Sequence, residues 1–246
     1  MKINEITSIN EGLYDPYIFK AVFMAGAPGA GKSTVSNQLF AGSGLKELNV
    51  DKFWTLYQRK GLSADYDQFW QKYKKEDDIA QRGRLGLIIN GTAKNPAIIE
   101  EIKKTLESRG YETVMVFVNV TLETSIERAE RRAQLPGPDF GRAIDQEFIE
   151  TTYNRIQQGV EKLKILFGNN FFAVDNNASQ PDLSRIERPI RRWLNTPVKN
   201  PIAQAWIDNE KQLRSRKALA RAPEPQQTTP PVQEPSNTPP IEKPGI

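Results

Sequence analysis

Between Tyr17 and Asn176, short apolar runs alternate with longer amphipathic ones, the pattern of a parallel sheet covered by helices. IFKAVFMA (Ile18 to Ala25) predicts the first strand and KSTVSNQLFA the helix after it. LKELNV leads into Asp51 as a short second strand. LGLIING (Leu85 to Gly91) is apolar almost throughout, as suits a strand buried on both faces. NPAIIEEIKKTLESRG then predicts a helix, with Asn95 to cap it, Pro96 in its first turn, an apolar set of Ile98, Ile99, Ile102 and Leu106, and Gly110 to stop it. YETVMVFVNV is the strongest strand in the chain and NNFFAVDN the last. The segment between those two, Thr121 to Phe167, is helical and charged, is broken by LPGPDFG, and is longer than a simple crossover needs. A functional element is expected there.

Past Asp182 the pattern predicts helices to about Arg221, with Trp193 and Trp206 as anchors onto the body. The last 24 residues, Pro223 to Ile246, hold eight prolines and almost nothing to bury, so a disordered tail is expected. The expected organisation is therefore an N-terminal extension (1–17), one α/β domain (18–181), a basic helical extension (182–222) and the Pro-rich tail (223–246). A chain of 246 residues, 38% apolar, has material for one core of ordinary size. No apolar run is long enough to cross a bilayer and the N-terminus lacks the apolar centre of a signal peptide, so a cytoplasmic protein without membrane contact is expected.

Charge and composition narrow the chemistry. Net charge is +4, and from Asp182 to Arg221 there are ten Lys or Arg against four Asp or Glu, while the rest of the chain carries no excess of positive charge. That segment reads either as a surface for an anionic partner such as nucleic acid or as a solvated helix face. Cysteine and histidine are both absent, so disulfides, thiol nucleophiles and imidazole bases are excluded and proton transfer falls to Asp, Glu or Lys.

The stretch Gly26, Ala27, Pro28, Gly29, Ala30, Gly31, Lys32, Ser33, Thr34 fits the spacing G-x-x-x-x-G-K-[ST] between a predicted strand and a predicted helix, the context that distinguishes a phosphate cradle from an ordinary glycine turn. Glycines let the backbone approach a phosphate chain closely, and the helix N-terminus adds converging amides. Lys32 would bridge the β and γ phosphates of ATP and the Ser33 hydroxyl would bind Mg²⁺. Asp51, at the end of the second strand, lies at the same sheet edge. It reads as the group that orients and deprotonates an attacking hydroxyl, as a cap for the helix KFWTLYQRKG, or as both. INGT ends the third strand with Asn90 where a hydrolysing motor would carry an acid, which weakens the motor reading. In ERAERRA, Arg128 and Arg132 share a helix face with Arg131 beside them, and Arg142 follows the LPGPDFG break. These arginines suit a lid that closes on transferring phosphate, with a salt-bridged surface helix as the alternative.

Together GAPGAGKST, LNVDKFW, LIINGTAKN, ERAERR and FFAVDN resemble the P-loop kinase group that includes zeta toxins, polynucleotide kinase domains and small kinases of tailed phages. The resemblance covers about Ile18 to Asn176 and is nearest to zeta-toxin-like AAA-type kinases encoded by phages, for which the locale would be the host cytoplasm. It implies a P-loop NTPase three-layer fold with a five-stranded parallel sheet and a helical lid, ATP with Mg²⁺, and transfer of the γ-phosphate to a hydroxyl. The acceptor in zeta toxins is an amino-sugar nucleotide, and in polynucleotide kinases a nucleic acid 5′ end. By position Asp51 matches the catalytic Asp, Lys32 and Ser33 the phosphate and metal residues, and Arg128, Arg131 and Arg132 the lid. The departure is Asn90, where relatives often have Asp in IDGT.

Three functions compete: a kinase acting on a small metabolite or nucleotide, a 5′ polynucleotide kinase whose Arg185 to Arg221 helices track a nucleic acid backbone, and a nucleotide-binding scaffold recruited to a protein partner by its Pro-rich tail. FWQKYKK (Phe69 to Lys75) interleaves aromatic and basic residues and reads as a base-stacking surface or, more simply, as an amphipathic helix with a packed aromatic face.

Overall fold

The computed structural model describes residue 13 and residues 17–51, 66–134 and 143–221. The helix expected after Asp51, the LPGPDFG break with Arg142, and the Pro-rich tail lie outside the described residues.

Five strands form: β1 (Lys20–Ala25), β2 (Lys46–Leu48), β3 (Leu87–Asn90), β4 (Glu112–Asn119) and β5 (Phe171–Asp175). They make one sheet in the order β2-β3-β1-β4-β5 with every pairing parallel. Each is a residue or two shorter than the apolar runs suggest, β1 at its N-terminal end only and the others at both ends. At β1 the cause is local: Tyr17 and Phe19 have φ of 60° and 59°, and the Lys20 amide donates to the Tyr17 carbonyl at 3.0 Å, so the chain enters the strand through a turn. The helices are α1 (Lys32–Phe40), α2 (Tyr66–Arg82), α3 (Pro96–Ser108), α4 (Leu122–Gln134), α5 (Gln146–Phe167), α6 (Glu187–Asn195) and α7 (Pro201–Arg221). Asn95 caps α3 as expected, its Oδ1 accepting from the Ala97 amide at 3.1 Å. No described helix is long and apolar enough to cross a membrane.

Alternation along β1 shows that the sheet is covered on both faces. Phe23 meets Phe167 of α5 edge-on at 5.3 Å, whereas Lys20, of opposite parity, lies under the Trp193 ring of α6 at 4.7 Å. All six β1 residues are buried, as is β4 from Thr113 to Val118, and this two-sided burial is why both runs are apolar. In α2, Phe69 is buried and Trp70 packs edge-on against Tyr73, so FWQKYKK follows the amphipathic pattern.

The basic extension is part of the core. Ile186, Ile190, Leu194, Val198 and Ala203 are buried, and Trp206 packs edge-on against Phe19 at 5.5 Å. Its anchor is ionic: Lys20 Nζ, on a residue only 2% exposed, lies 2.6 Å from Glu112 Oε2, and Glu112 Oε1 accepts from the Lys199 amide at 2.5 Å. Burial holds the Lys20 ammonium below the ordinary lysine value, with Glu112 opposing that shift. Glu112→Ala leaves that ammonium buried without its carboxylate, a change worth about 2–4 kcal/mol once Glu112's partial exposure is allowed for. The expected fall in Tm is roughly 5–10 °C at neutral pH. Because the folded-state value is depressed, the unfolded chain holds more protons in the alkaline window and stability rises with pH there. The deficit of the variant should narrow as pH climbs toward the ordinary lysine value, and thermal melts at neutral and alkaline pH check both size and sign.

Candidate active site

The loop Gly26 to Gly31 joins the end of β1 to the start of α1, and its outer carbonyls are held from two other elements. Ser125 Oγ, in the first turns of α4, donates to the Pro28 carbonyl at 2.5 Å, and Asn176 Nδ2, just past β5, donates to the Ala30 carbonyl at 2.8 Å. Close approach makes glycine necessary at two points. Gly29 (φ 79°) and Gly31 (φ 83°) are both left-handed, and a Cβ would collide with the Ser125 carbonyl oxygen at the first and with Asn176 Nδ2 at the second. With the carbonyls tied back, the amides of the first turn of α1, which have no intrahelical acceptor, open the helix toward an anion. Ser33 and Thr34 are exposed on that turn.

Lys32 bends back over the loop and donates to the Gly26 and Ala27 carbonyls at 3.0 and 3.1 Å. Burial lowers its ammonium to about 8; Asp51 acts to raise it and Arg132 to lower it further. Three sequence-derived candidates, Lys32, Asp51 and Arg132, thus share one electrostatic environment at the C-terminal edge of the sheet. Asp51 is exposed, and its amide donates to Asn49 Oδ1 at 3.0 Å.

The arginines of α4 separate. Arg128 donates from Nη1 to the Asn176 carbonyl at 2.7 Å and from Nη2 to the Ala178 carbonyl at 2.8 Å, holding the segment after β5 against the loop. Arg131 is exposed, and Arg132 is the member whose charge reaches Lys32. Asn90 ends β3 beside Met24, and the Gly91 amide donates to the Met24 carbonyl at 3.0 Å.

Sequence reasoning passed over Ser125, Asn176 and Glu47. Ser125 carried no signal, because a serine one turn into a helix has no motif. Asn176, 4% exposed, was visible as part of the polar tip DNN just past the end of a strand. Glu47 lies in a three-residue edge strand, and only the pairing of β2 with β3 brings it to Asn90.

No curated protein sequence is similar enough to this chain to count as a match. Among solved structures, AvrRxo1-ORF1:-ORF2 with ATP matches with a TM-score of 0.54 at 10% identity, over 68% of this chain and 59% of that one. A chain of the Pnkp1/Rnl/Hen1 RNA repair complex matches at 0.49 and 19% identity, over 59% of this chain and 46% of that one. Deoxyadenosine kinase from M. mycoides with bound dATP matches at 0.41 and 18%, over 72% and 99%. This chain thus spans less than half the length of the RNA repair chain, and identities so low speak to fold alone. The zeta toxin family model matches residues 15–180, which takes in the sheet, the glycine loop with Lys32, Asp51 and the arginine helix α4. A parallel sheet with this strand order, a G-x-x-x-x-G-K-S loop at its edge and a family match over two thirds of its length place the chain in the zeta toxin family of P-loop kinases.

Proposed function

We propose that this chain transfers the γ-phosphate of ATP to a hydroxyl of a small metabolite or nucleotide. The observation that carries the reading is the clamped glycine loop between β1 and α1 with Lys32 bent over it, near enough to Asp51 and Arg132 for their charges to act on it. The loop from Gly26 to Thr34 binds the triphosphate through its amides, and Lys32 leaves the Gly26 and Ala27 carbonyls for the β and γ phosphates. Asp51 orients the acceptor hydroxyl and takes its proton as oxygen attacks the γ-phosphorus and the bond to the β,γ-bridging oxygen breaks, leaving ADP. Arg132, with Arg131 and Arg142 from the segment that follows, neutralises charge on the transferring group, while Arg128 keeps α4 and the segment after β5 against the loop.

Mg²⁺ fits this donor set. The exposed Ser33 hydroxyl would supply one protein oxygen at the cradle, beside the phosphates. Magnesium commonly binds in that way, through one or two protein oxygens with phosphates and water completing its shell. When bound it would neutralise phosphate charge.

A small acceptor is favoured over a polynucleotide by where the basic extension docks. Trp193 and Lys199 anchor at Lys20 and Glu112, the first residues of β1 and β4, while the loop follows the last residue of β1. Six strand residues separate those ends by about 20 Å. The test is transfer of label from γ-labelled ATP, with Mg²⁺, to three pools: amino-sugar nucleotides, nucleoside monophosphates and 5′-hydroxyl oligonucleotides. Label is expected in one of the first two. Label in the oligonucleotides alone would establish the polynucleotide reading instead. ATP binding with no labelled pool would support a nucleotide-binding scaffold.

A further inference from the structure

Beside the phosphate loop, three polar residues that no role above uses, Glu47 on β2, Asn90 on β3 and Asn49 after β2, form a connected chain that ends at Asp51. Asn90 Nδ2 and Asn49 Nδ2 each donate to the same oxygen, Glu47 Oε1, at 3.4 Å, and Asn49 Oδ1 accepts from the Asp51 amide at 3.0 Å. Register explains the convergence of Glu47 and Asn90: Glu47 pairs with Ile88 and Asn90 with Met24, so both point to one face of the sheet, and Asn49 reaches the same carboxylate from just past β2. An amide donates only through nitrogen and accepts only through oxygen. A carboxylate that takes both Nδ2 groups therefore fixes both amides the same way round, with their Oδ1 atoms turned away from it. For Asn49 that oxygen accepts from the Asp51 amide.

We propose that Glu47 is a positioning residue of the active site: its carboxylate fixes the amide orientations of Asn49 and Asn90, and through Asn49 it holds the backbone at Asp51. The proposal rests on the kinase reading for its function and on the hydrogen-bond chain for its structure. It also accounts for an amide at position 90. An aspartate there would set a second carboxylate against Glu47 at hydrogen-bond distance, where like charges oppose each other and neither can donate.

The chain is tested in the full-length protein labelled with ¹⁵N, without nucleotide. Glu47→Ala should move the side-chain amide signals of Asn49 and Asn90 and speed hydrogen exchange at the Asp51 amide about fivefold, the worth of one ordinary hydrogen bond. Glu47→Gln keeps an acceptor oxygen in place and should hold the exchange rate within about twofold of the parent. Asn49→Ala breaks the last link alone and sets the exchange rate at Asp51 expected when that link is lost; Glu47→Met, which keeps the bulk of the side chain without an acceptor, should approach that rate and keeps the test open if Glu47→Ala does not fold. In the transfer assay, Glu47→Ala should lower kcat roughly tenfold with little change in KM for ATP, as expected when a base is misplaced and the cradle is intact. Glu47→Gln should recover most of that rate. Unchanged exchange at Asp51 and unchanged amide signals in a folded Glu47→Ala protein would overturn the proposal, as would an unchanged kcat. If the parent protein labels no acceptor, it is the kinase reading that fails, and the exchange measurements still decide whether Glu47 holds Asp51.

Discussion

Lys32→Ala is expected to lower the rate of phosphoryl transfer by about 10²–10³, the usual cost of removing one preorganised donor from developing negative charge. The effect should carry a pH signature that a merely structural lysine would not give. In the empty site burial brings the Lys32 ammonium down to about 8, so near pH 8 roughly half of the molecules hold it neutral. A bound triphosphate sets several negative charges against it and favours the protonated form. The sign follows from linkage: nucleotide binding takes up protons wherever the bound form holds more of them than the free form. Near pH 8 a fraction of a proton should be taken up per ATP bound, and affinity should fall as pH rises through that range. Calorimetric titration in two buffers of different ionisation heat measures the uptake directly. In Lys32→Ala the uptake should vanish along with most of the affinity. Zero uptake by the parent protein at pH 8 would mean that Lys32 is already charged in the empty site, and the backward-bent lysine would then not be a distinct resting state of the loop.

How much of this was legible in the sequence depended on the range of the interactions. The cap at Asn95, the apolar face of α3 and the glycine loop between β1 and α1 depend on residues within a few positions of one another, and the residue pattern shows them. The environment of Lys32 is of another kind. It depends on Arg132, a hundred positions away, and on Asp51, and only the strand order brings them together. Helical periodicity placed Arg128 and Arg132 on one face of α4 but could not show that they part company there. Arg128 donates to the carbonyls of Asn176 and Ala178 beside the loop, because α4 starts beside the end of β5. The basic extension was legible in its two tryptophan anchors, Trp193 and Trp206, but not in the ion pair beneath them. Its charge count describes the solvent side of α6 and α7, whereas the seam of Ile186, Ile190, Leu194 and Val198 and the Lys20–Glu112 pair beneath it determine how it docks. Glu47 was the least legible, since nothing in a three-residue edge strand marks one carboxylate as the partner of two asparagines.

Asp51→Asn should separate the binding half of the site from its chemical half. The chain has no histidine, and Asp51 is the carboxylate whose charge reaches Lys32 at the phosphate loop, so the hydroxyl's proton has one evident destination. Asparagine keeps the shape and leaves the backbone bond to Asn49 undisturbed, but it cannot take a proton. Transfer to whichever acceptor pool carries label should fall by about 10²–10⁴, the span attributed to general-base catalysis. ATP binding should persist, because the loop, its carbonyl clamps and Lys32 are all intact. The same substitution makes a second, independent demand. Asp51 acts to raise Lys32, so without that charge the ammonium of the empty site should fall below its parent value of about 8. Proton uptake on ATP binding at pH 8 should therefore increase in Asp51→Asn while turnover collapses. A variant that keeps full turnover would reduce Asp51 to the head of a local turn. One that loses turnover without the added uptake would show that Asp51 acts on the acceptor but that its field does not reach the lysine of the loop.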